Sequence, residues 1–434
     1  MNEAQFELKN VKGTFDYLQN DQMIRTNIIN SLKSIFEIYG YMPIDTPILN
    51  YYDLLASKYS GGKEILKEVY TLYDQGERKL GLRYDLTIPF AKVIGMQKEL
   101  ILPFKRYEIG KVFRDGPVKV GRNREFYQCD VDVCGISSLA AETEFFQMII
   151  AAFKKLNIDV EIHFNNRELL SGILVELGIT DDLISDVIII IDKFEKIGAD
   201  DVKIELNTLN INDEAINLIF KLLSFDFKGI KEYFLNTSNI QLLKGVKEVE
   251  EIINTITILK LNACFFKPFL ARGLEIYTGT VWEIFAVDKS FRSSLGGGGR
   301  YDNIITKFIN DGIEYPAVGM SFGLEPIFEI IKSRSLDLKS SDVLIYGFNN
   351  YPVSLKIAQM LRDENIKIVV EMNDWKLKKA LEYANRNKIN LVIILGEDEI
   401  KNDTFTIKNM SLGEQNTYPL TQLVDVIKFN LNSE

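Results

Sequence analysis

The sequence predicts an α+β chain: a sheet built on a β-hairpin, a helical domain inserted into it, and a small α/β domain at the end. Three observations carry this. Residues 106–135, RYEIGKVFRDGPVKVGRNREFYQCDVDVCG, form two alternating arms around Asp115-Gly116-Pro117, a turn signal. Residues 118–267 hold no proline, although prolines occur on both sides, and from about 168 to 258 the apolar spacing is helical with lysines and acids intermixed. From Ser341 strands alternate with helices, the pattern of a small α/β domain with largely parallel pairing.

Taken in order, KGTFDYL precedes a helical pattern in Ile24, Ile28, Ile29, Leu32, Ile35, Phe36 and Tyr39, which Gly40 stops. YMPIDTPIL then reads as an extended segment whose prolines, Pro43 and Pro47, suit a sheet edge or a strand end. Helix and strand pack within the fold or against a second subunit, and periodicity leaves both open. Residues 69–72 and 80–83 predict a hairpin around Asp74-Gln75-Gly76-Glu77. In LRYDLTIPFAKVIG, Asp85 or Thr87 caps a helix that starts near Pro89, or else faces a ligand amine at the end of a strand.

Helices are expected over 140–156, 167–177, 182–197 and 213–223, with a short strand near 160–164. Strand character resumes at Phe265. Arg272 stands before a glycine, ahead of Tyr277 and a strand over 280–286. SLGGGGRYDNII sets four glycines before Arg300, which permits close approach of backbone to a flat ligand or merely a tight turn. PAVGMSFGLEPIFEII is a strand running through a glycine into a helix. The terminal domain reads strand DVLIYGF, helix PVSLKIAQMLRDE, strand IKIVVEM, helix WKLKKALEYANRNK, then strands NLVIILG and TFTIKNM. Its second helix carries Lys376, Lys378, Lys379, Arg386 and Lys388, a solvated face or an RNA-facing patch.

Composition narrows the chemistry. With 46% apolar and 26% charged residues the chain is an ordinary globular protein, without an apolar run long enough for a membrane span or a signal-peptide pattern, and a cytoplasmic location is expected. Cys129, Cys134 and Cys264 show no CxxC spacing, so no disulfide framework or zinc site is indicated. His163 is the only histidine, which excludes His-rich metal sites, and its place in VEIHF fits a structural role. No P-loop and no GxGxxG after a strand is present. A net charge of −10 opposes non-specific nucleic-acid binding while leaving room for a local basic surface.

The hairpin carries the strongest chemical signal. Alternation puts Arg106, Glu108 and Arg114 on one face of the first arm, and Gln128, Asp130 and Asp132 on one face of the second. Charged groups taken out of water need partners, so such a face suits an anionic and a cationic ligand group held close together. The same residues also fit an exposed sheet face with a salt-bridge ladder.

Together these motifs resemble the histidyl-tRNA synthetases, class II aminoacyl-tRNA synthetases, over nearly the whole chain. VKGTFDYL with the helix and Pro47 resembles motif 1, which builds the family's dimer interface. The hairpin resembles motif 2, and GGGGRYDNI with PAVGMSFGLEPI resembles motif 3. ARGLEIYTGTVWE resembles the histidine-specific signature, the most discriminating of these, and LEYANRNKINLVIILGEDE resembles the anticodon-binding domain. LRYDLT stands where LRPEGT is the other form. The resemblance implies a class II antiparallel catalytic sheet in two parts, 1–167 and 259–335, an inserted helical domain at 168–258, and an α/β anticodon-binding domain at 341–434. It implies a homodimer and no membrane.

The implied activity is that of a histidine–tRNA ligase, with L-histidine, ATP accompanied by Mg²⁺, and the histidine tRNA as partners. Arg114 matches the motif 2 arginine on the α-phosphate and substrate carboxylate, and Arg272 the arginine that stands where other class II enzymes use a metal ion. Arg122 matches a further arginine at the ATP site, and no protein ligand set for a metal is indicated. Guanidinium forks suit phosphate oxygens better than lysine does. Asp85, Thr87 and Gln128 match acceptors for the α-ammonium group. Asp132 and Tyr277 match the carboxylate and phenol at the imidazole, the usual carboxylate being glutamate. One departure stands out: the motif 3 arginine of GLER, which contacts ATP, is Pro326 here. That substitution is what favours the rival reading, a non-catalytic histidine-sensing regulatory subunit of ATP phosphoribosyltransferase.

Overall fold

Alternation along the two hairpin arms produces the pairing that centres the larger sheet. The strands Phe104–Phe113 and Glu125–Cys134 run antiparallel, with Arg106 opposite Asp132, Glu108 opposite Asp130 and Gly110 opposite Gln128. The computed structural model describes residues 7–57, 65–97, 99–118, 122–272, 276–289, 291–334, 341–348 and 350–432, the side chains of 65, 195 and 196 excepted. It falls into two compact units, Met1–Arg334 and Ser335–Glu434.

In the first unit an eight-stranded sheet runs in the order Met42–Pro43, Phe104–Phe113, Glu125–Cys134, Ala317–Gly323, Gly296–Arg300, Thr280–Ala286, Val160–Asn166, Cys264–Phe266. The outermost pair at each edge is parallel and every interior pair is antiparallel. Pro43 lies on the edge strand, where a missing N–H costs no ladder bond. The predicted hairpin near residue 75 is present as Thr71–Tyr73 and Lys79–Leu82, joined by Leu49–Tyr51 into a separate three-stranded sheet.

The first helix, Gln19–Ile38, buries Ile24, Ile28, Leu32, Ile35 and Phe36, as its spacing requires, and Phe36 packs against Phe322 of the sheet. It also buries Arg25, which a polar position on an amphipathic helix does not announce. Between residues 167 and 259 the chain is helical. The helix expected over 182–197 ends at Ile191 as Asp181–Ile191, and the helical stretch Phe194–Asn207 that follows is broken again at Gly198, φ 84°; between the two breaks Phe194 turns inward onto Phe220 and Phe269. Leu174, Val187, Ile188, Ile216 and Ile219 form the core of these helices, and Ala271, the residue before Arg272, packs into it. Buried Asn165 donates to the carbonyls of Pro268 and Leu270, 2.9 Å each, so the approach to Arg272 is tied down from two sides.

The second unit holds a five-stranded sheet in the order Ile368–Val370, Val343–Gly347, Leu391–Leu395, Thr404–Asn409, Gln415–Pro419. Its first two pairings are parallel and its last two antiparallel, so the expectation of largely parallel pairing is half right. The reason is chain length: only the five-residue helix Glu397–Lys401 separates Leu391–Leu395 from Thr404–Asn409, too little for a parallel crossover. Gln415–Pro419 and the final helix Leu423–Asn432 complete the unit. Lys376, Lys378, Lys379, Arg386 and Lys388 are all exposed.

Candidate active site

The polar face of the hairpin is buried rather than solvated, which removes the reading as an exposed ladder. Arg106, Glu108, Asp130 and Asp132 are each less than 5% exposed. The face is divided in use. Arg106 and Glu108 form an internal layer. Glu108 accepts from the Thr46 N–H at 2.9 Å, from the Thr46 hydroxyl at 2.7 Å and from Arg83 Nη1 at 2.8 Å. Arg106 Nη2 lies 2.8 Å from Asp132 Oδ2 and donates to the Leu86 carbonyl at 3.1 Å. The remaining polar residues of the face open into a cavity of about 610 Å³.

All eight residues singled out from the sequence, Asp85, Thr87, Arg114, Arg122, Gln128, Asp132, Arg272 and Tyr277, line this one cavity. They arrive from separate parts of the chain. Gln128 and Asp132 come from the sheet, and Asp85 and Thr87 from the start of the helix Thr87–Met96. Capping and ligand-facing are not alternatives for Asp85: its Oδ1 accepts from the Ile88 N–H at 3.1 Å while the side chain faces the cavity. Burial raises its carboxyl to about 6, against the pull of that N–H and of Arg114.

The two arginines at the centre are held by backbone carbonyls, and among the described residues neither has a carboxylate within ion-pair distance. Arg114 Nε donates to the Tyr84 carbonyl at 3.1 Å, its guanidinium sits 5.1 Å from the Phe126 ring, and burial lowers its pKa. Arg272 Nη1 donates to the Trp282 carbonyl at 3.0 Å, and its guanidinium lies 5.4 Å from the Tyr277 ring. Burial works against the Arg272 charge, but Tyr277, Glu283 and Asp192 outweigh it and raise the pKa. Its backbone is left-handed, φ 45°, a conformation an arginine adopts only when its surroundings impose it. Arg122 is half exposed at the rim and pairs with Glu68 at 2.5 Å.

The glycine-rich strand Gly296–Arg300 has a defined use. A Cβ on Gly297 would sit 1.8 Å from Arg272 Nη1, and one on Gly299 would sit 2.7 Å from the Tyr277 ring. The glycines therefore make room for two site side chains, a use beyond the two offered from the sequence, while Gly297 also lines the cavity. Gly319 does the same across the sheet, where a Cβ would sit 1.8 Å from Asp132 Oδ1. Gly319→Ala is accordingly expected to displace Asp132 and to cost about 1–3 kcal/mol of stability, measured by urea unfolding against the parent chain.

Three site residues escape the sequence reading, and a fourth, Asp130, is placed by it on the polar face of the hairpin without a role. Tyr301 follows the glycine run, lines the cavity and donates its hydroxyl to Asp132 Oδ1. Asp132 is thereby fixed by Arg106 on one oxygen and Tyr301 on the other; burial still raises its pKa. Asp130 shares the parity of Gln128 and Asp132, a signal available in the alternation. Ser321 lies opposite Asp130 on the next strand. Glu325 and Pro326 both line the cavity, and buried Arg25 pairs with Glu325 at 3.0 Å while lying 3.8 Å over the Tyr17 ring. A guanidinium thus stands behind the wall that Pro326 leaves uncharged.

Comparison with known families settles the relationship. A family model described as histidyl-tRNA synthetase matches residues 13–327, and an anticodon-binding domain model matches 342–430. The chain belongs to the histidyl-tRNA synthetase family. Histidine–tRNA ligase 1 of Bacillus cereus is 47% identical over 423 residues, covering 96% of this chain and 99% of its own. Histidine–tRNA ligase 2 of Shouchella clausii is 43% identical over 421 residues, with 96% and 99% covered. Among solved structures, histidyl-tRNA synthetase from Nostoc sp. PCC 7120 superposes with a TM-score of 0.86 at 28% identity, covering 98% of this chain and all of that one. A Bacillus halodurans structure described as an ATP phosphoribosyltransferase regulatory subunit/histidyl-tRNA synthetase shares the fold, with a TM-score of 0.76 at 18% identity over 90% of this chain and 99% of that one. The class II synthetase fold of the first unit and the separate α/β unit are those of a histidyl-tRNA synthetase.

Proposed function

We propose that this chain is a histidine–tRNA ligase whose eight cavity residues bind histidine and ATP and carry out adenylate formation. The observation that carries the proposal is the pair of arginines, Arg114 and Arg272, lining one cavity with backbone carbonyls as their hydrogen-bonding anchors. In the first step a carboxylate oxygen of histidine attacks the α-phosphorus of ATP, the bond to the β-phosphate bridging oxygen breaks, and pyrophosphate leaves. Two anions must meet, so fixed positive charge at the α-phosphoryl group lowers the barrier without reorganisation. Arg114 and Arg272 supply that charge, and Arg122 at the rim meets the departing phosphates. Asp85, Thr87 and Gln128 accept the α-ammonium group, while Asp132 and Tyr277 hold the imidazole. A pocket of polar partners rejects side chains that cannot pair with them. In the second step a hydroxyl of the 3′-terminal adenosine of the histidine tRNA attacks the adenylate carbonyl and AMP leaves.

ATP enters with Mg²⁺, the ion held by phosphate oxygens. We further infer a cytoplasmic homodimer. The motif 1 region leaves Ile38, Met42, Leu49 and Tyr51 exposed, an apolar surface suited to a second copy, and all three cysteines are free thiols, as in a reducing compartment. The inserted helices, 168–258, act in this reading as a domain between the two catalytic parts, and the 341–434 domain reads the anticodon. The regulatory reading rests on Pro326 alone; the arginine pair and the anticodon-binding domain speak against it.

The deciding measurement is histidine-dependent ATP–pyrophosphate exchange followed by charging of total tRNA with tritiated histidine. Both are expected to proceed with Pro326 in place. Absence of exchange in a protein that still binds histidine would favour the regulatory reading.

A further inference from the structure

Asp130 has no role in the scheme above, yet it lines the same cavity. It stands between Gln128 and Asp132 on the same face of the strand Glu125–Cys134 and is 4% exposed. It lines the cavity, and its Oδ1 is buried without a hydrogen-bond partner. A buried carboxyl oxygen left in that state is costly unless something that enters the cavity satisfies it.

The groups around it fix the sign of that missing partner. On its own strand is Asp132. On the strand Phe104–Phe113 are Glu108, directly opposite, and Arg106, whose Nη2 is committed to Asp132 at 2.8 Å. On the other side, across from it on Ala317–Gly323, is Ser321. Asp85 faces it from the start of the helix Thr87–Met96, and Arg114 and Tyr277 complete the surroundings. Asp85, Glu108, Asp130 and Asp132 make four acids against two arginines, one of them spent. Burial first, and Asp132 next, raise the Asp130 carboxyl to about 8, with Arg106 and Ser321 pulling the other way.

We propose that Asp130 is a further substrate-binding residue, its Oδ1 accepting a hydrogen bond from the α-ammonium group of histidine, which is then held between Asp85 and Asp130. This rests on the histidine-activating reading and deepens it. The free protein at neutral pH carries a proton in this acid cluster. A bound ammonium ion favours the ionised carboxylate and expels the proton, so histidine affinity rises with pH up to about 8.

The test is calorimetric titration of histidine into the full chain at pH 7 in two buffers of different ionisation heat. Release approaching one proton is expected. Asp130→Asn is expected to release almost none and to bind histidine at least about tenfold more weakly, with KM for ATP unchanged. Imidazolepropionic acid, which lacks the amine, is expected to bind both proteins alike. Histidine binding without proton release by the unaltered chain, or an Asp130→Asn protein that matches it in affinity, would overturn the assignment while leaving the ligase reading intact. A chain that binds no histidine in either form would overturn both. The measurement on the unaltered chain stands even if the variant fails to fold.

Discussion

Arg272→Ala is expected to lower histidine-dependent ATP–pyrophosphate exchange by about a thousandfold, with histidine affinity changed far less. The guanidinium lies 3.0 Å from the Trp282 carbonyl and faces the cavity, in a pocket hollowed for it by Gly297. In the proposed role its charge acts on a phosphoryl group whose negative charge redistributes as the bond to pyrophosphate breaks. The interaction therefore strengthens between ground state and transition state, the condition for an effect on kcat rather than KM. Arg272→Lys is expected to recover only a small part of the loss, because an ammonium group lacks the planar fork and the reach to the same oxygens. The left-handed backbone at 272 sharpens the test, since the position is held by Ala271 in the helical core and by Asn165 rather than by the side chain itself. Thermal unfolding of the alanine variant should thus stay close to that of the parent. Exchange within tenfold of the parent would refute the catalytic role.

What could be read from the chain followed the range of the interactions involved. The two faces of the hairpin, the helix ending before Gly40 and the strand–helix alternation after Ser341 are local patterns of period two or 3.6, and the structure reproduces them. Contacts that need the sheet order were hidden. Nothing local marks Gly297 and Gly319 as space for side chains until Arg272 and Asp132 are seen against them. Arg25 reads as a solvated position until Glu325, 300 residues away, meets it. The break at Asp192 is masked because isoleucines run without interruption from Ile188 to Ile191. The motif resemblance brought the eight cavity residues into view, yet it passed over Asp130 and Tyr301, whose significance lies in what they do or do not touch.

Arg106→Met is expected to destabilise the first unit by about 3–5 kcal/mol, the cost of leaving a buried carboxylate without its cation. Arg106 is 0% exposed, pairs with Asp132 and donates to the Leu86 carbonyl just ahead of Thr87, so it joins the sheet to the turn that presents Asp85 and Thr87. Histidine binding should be lost along with stability. The double variant Arg106→Met/Asp132→Leu separates the two consequences: with both charges gone no orphan remains, and urea unfolding should show it more stable than the single variant although it still fails to bind histidine. The pH dependence has a definite sign. Losing Arg106 raises the folded-state pKa of Asp132 further above its unfolded value, so the destabilisation is present at neutral pH and shrinks as acid protonates the carboxyl. Equal destabilisation of the single and double variants, or a deficit that does not change with pH, would mean that the guanidinium contributes packing over Phe90, 4.5 Å away, rather than charge.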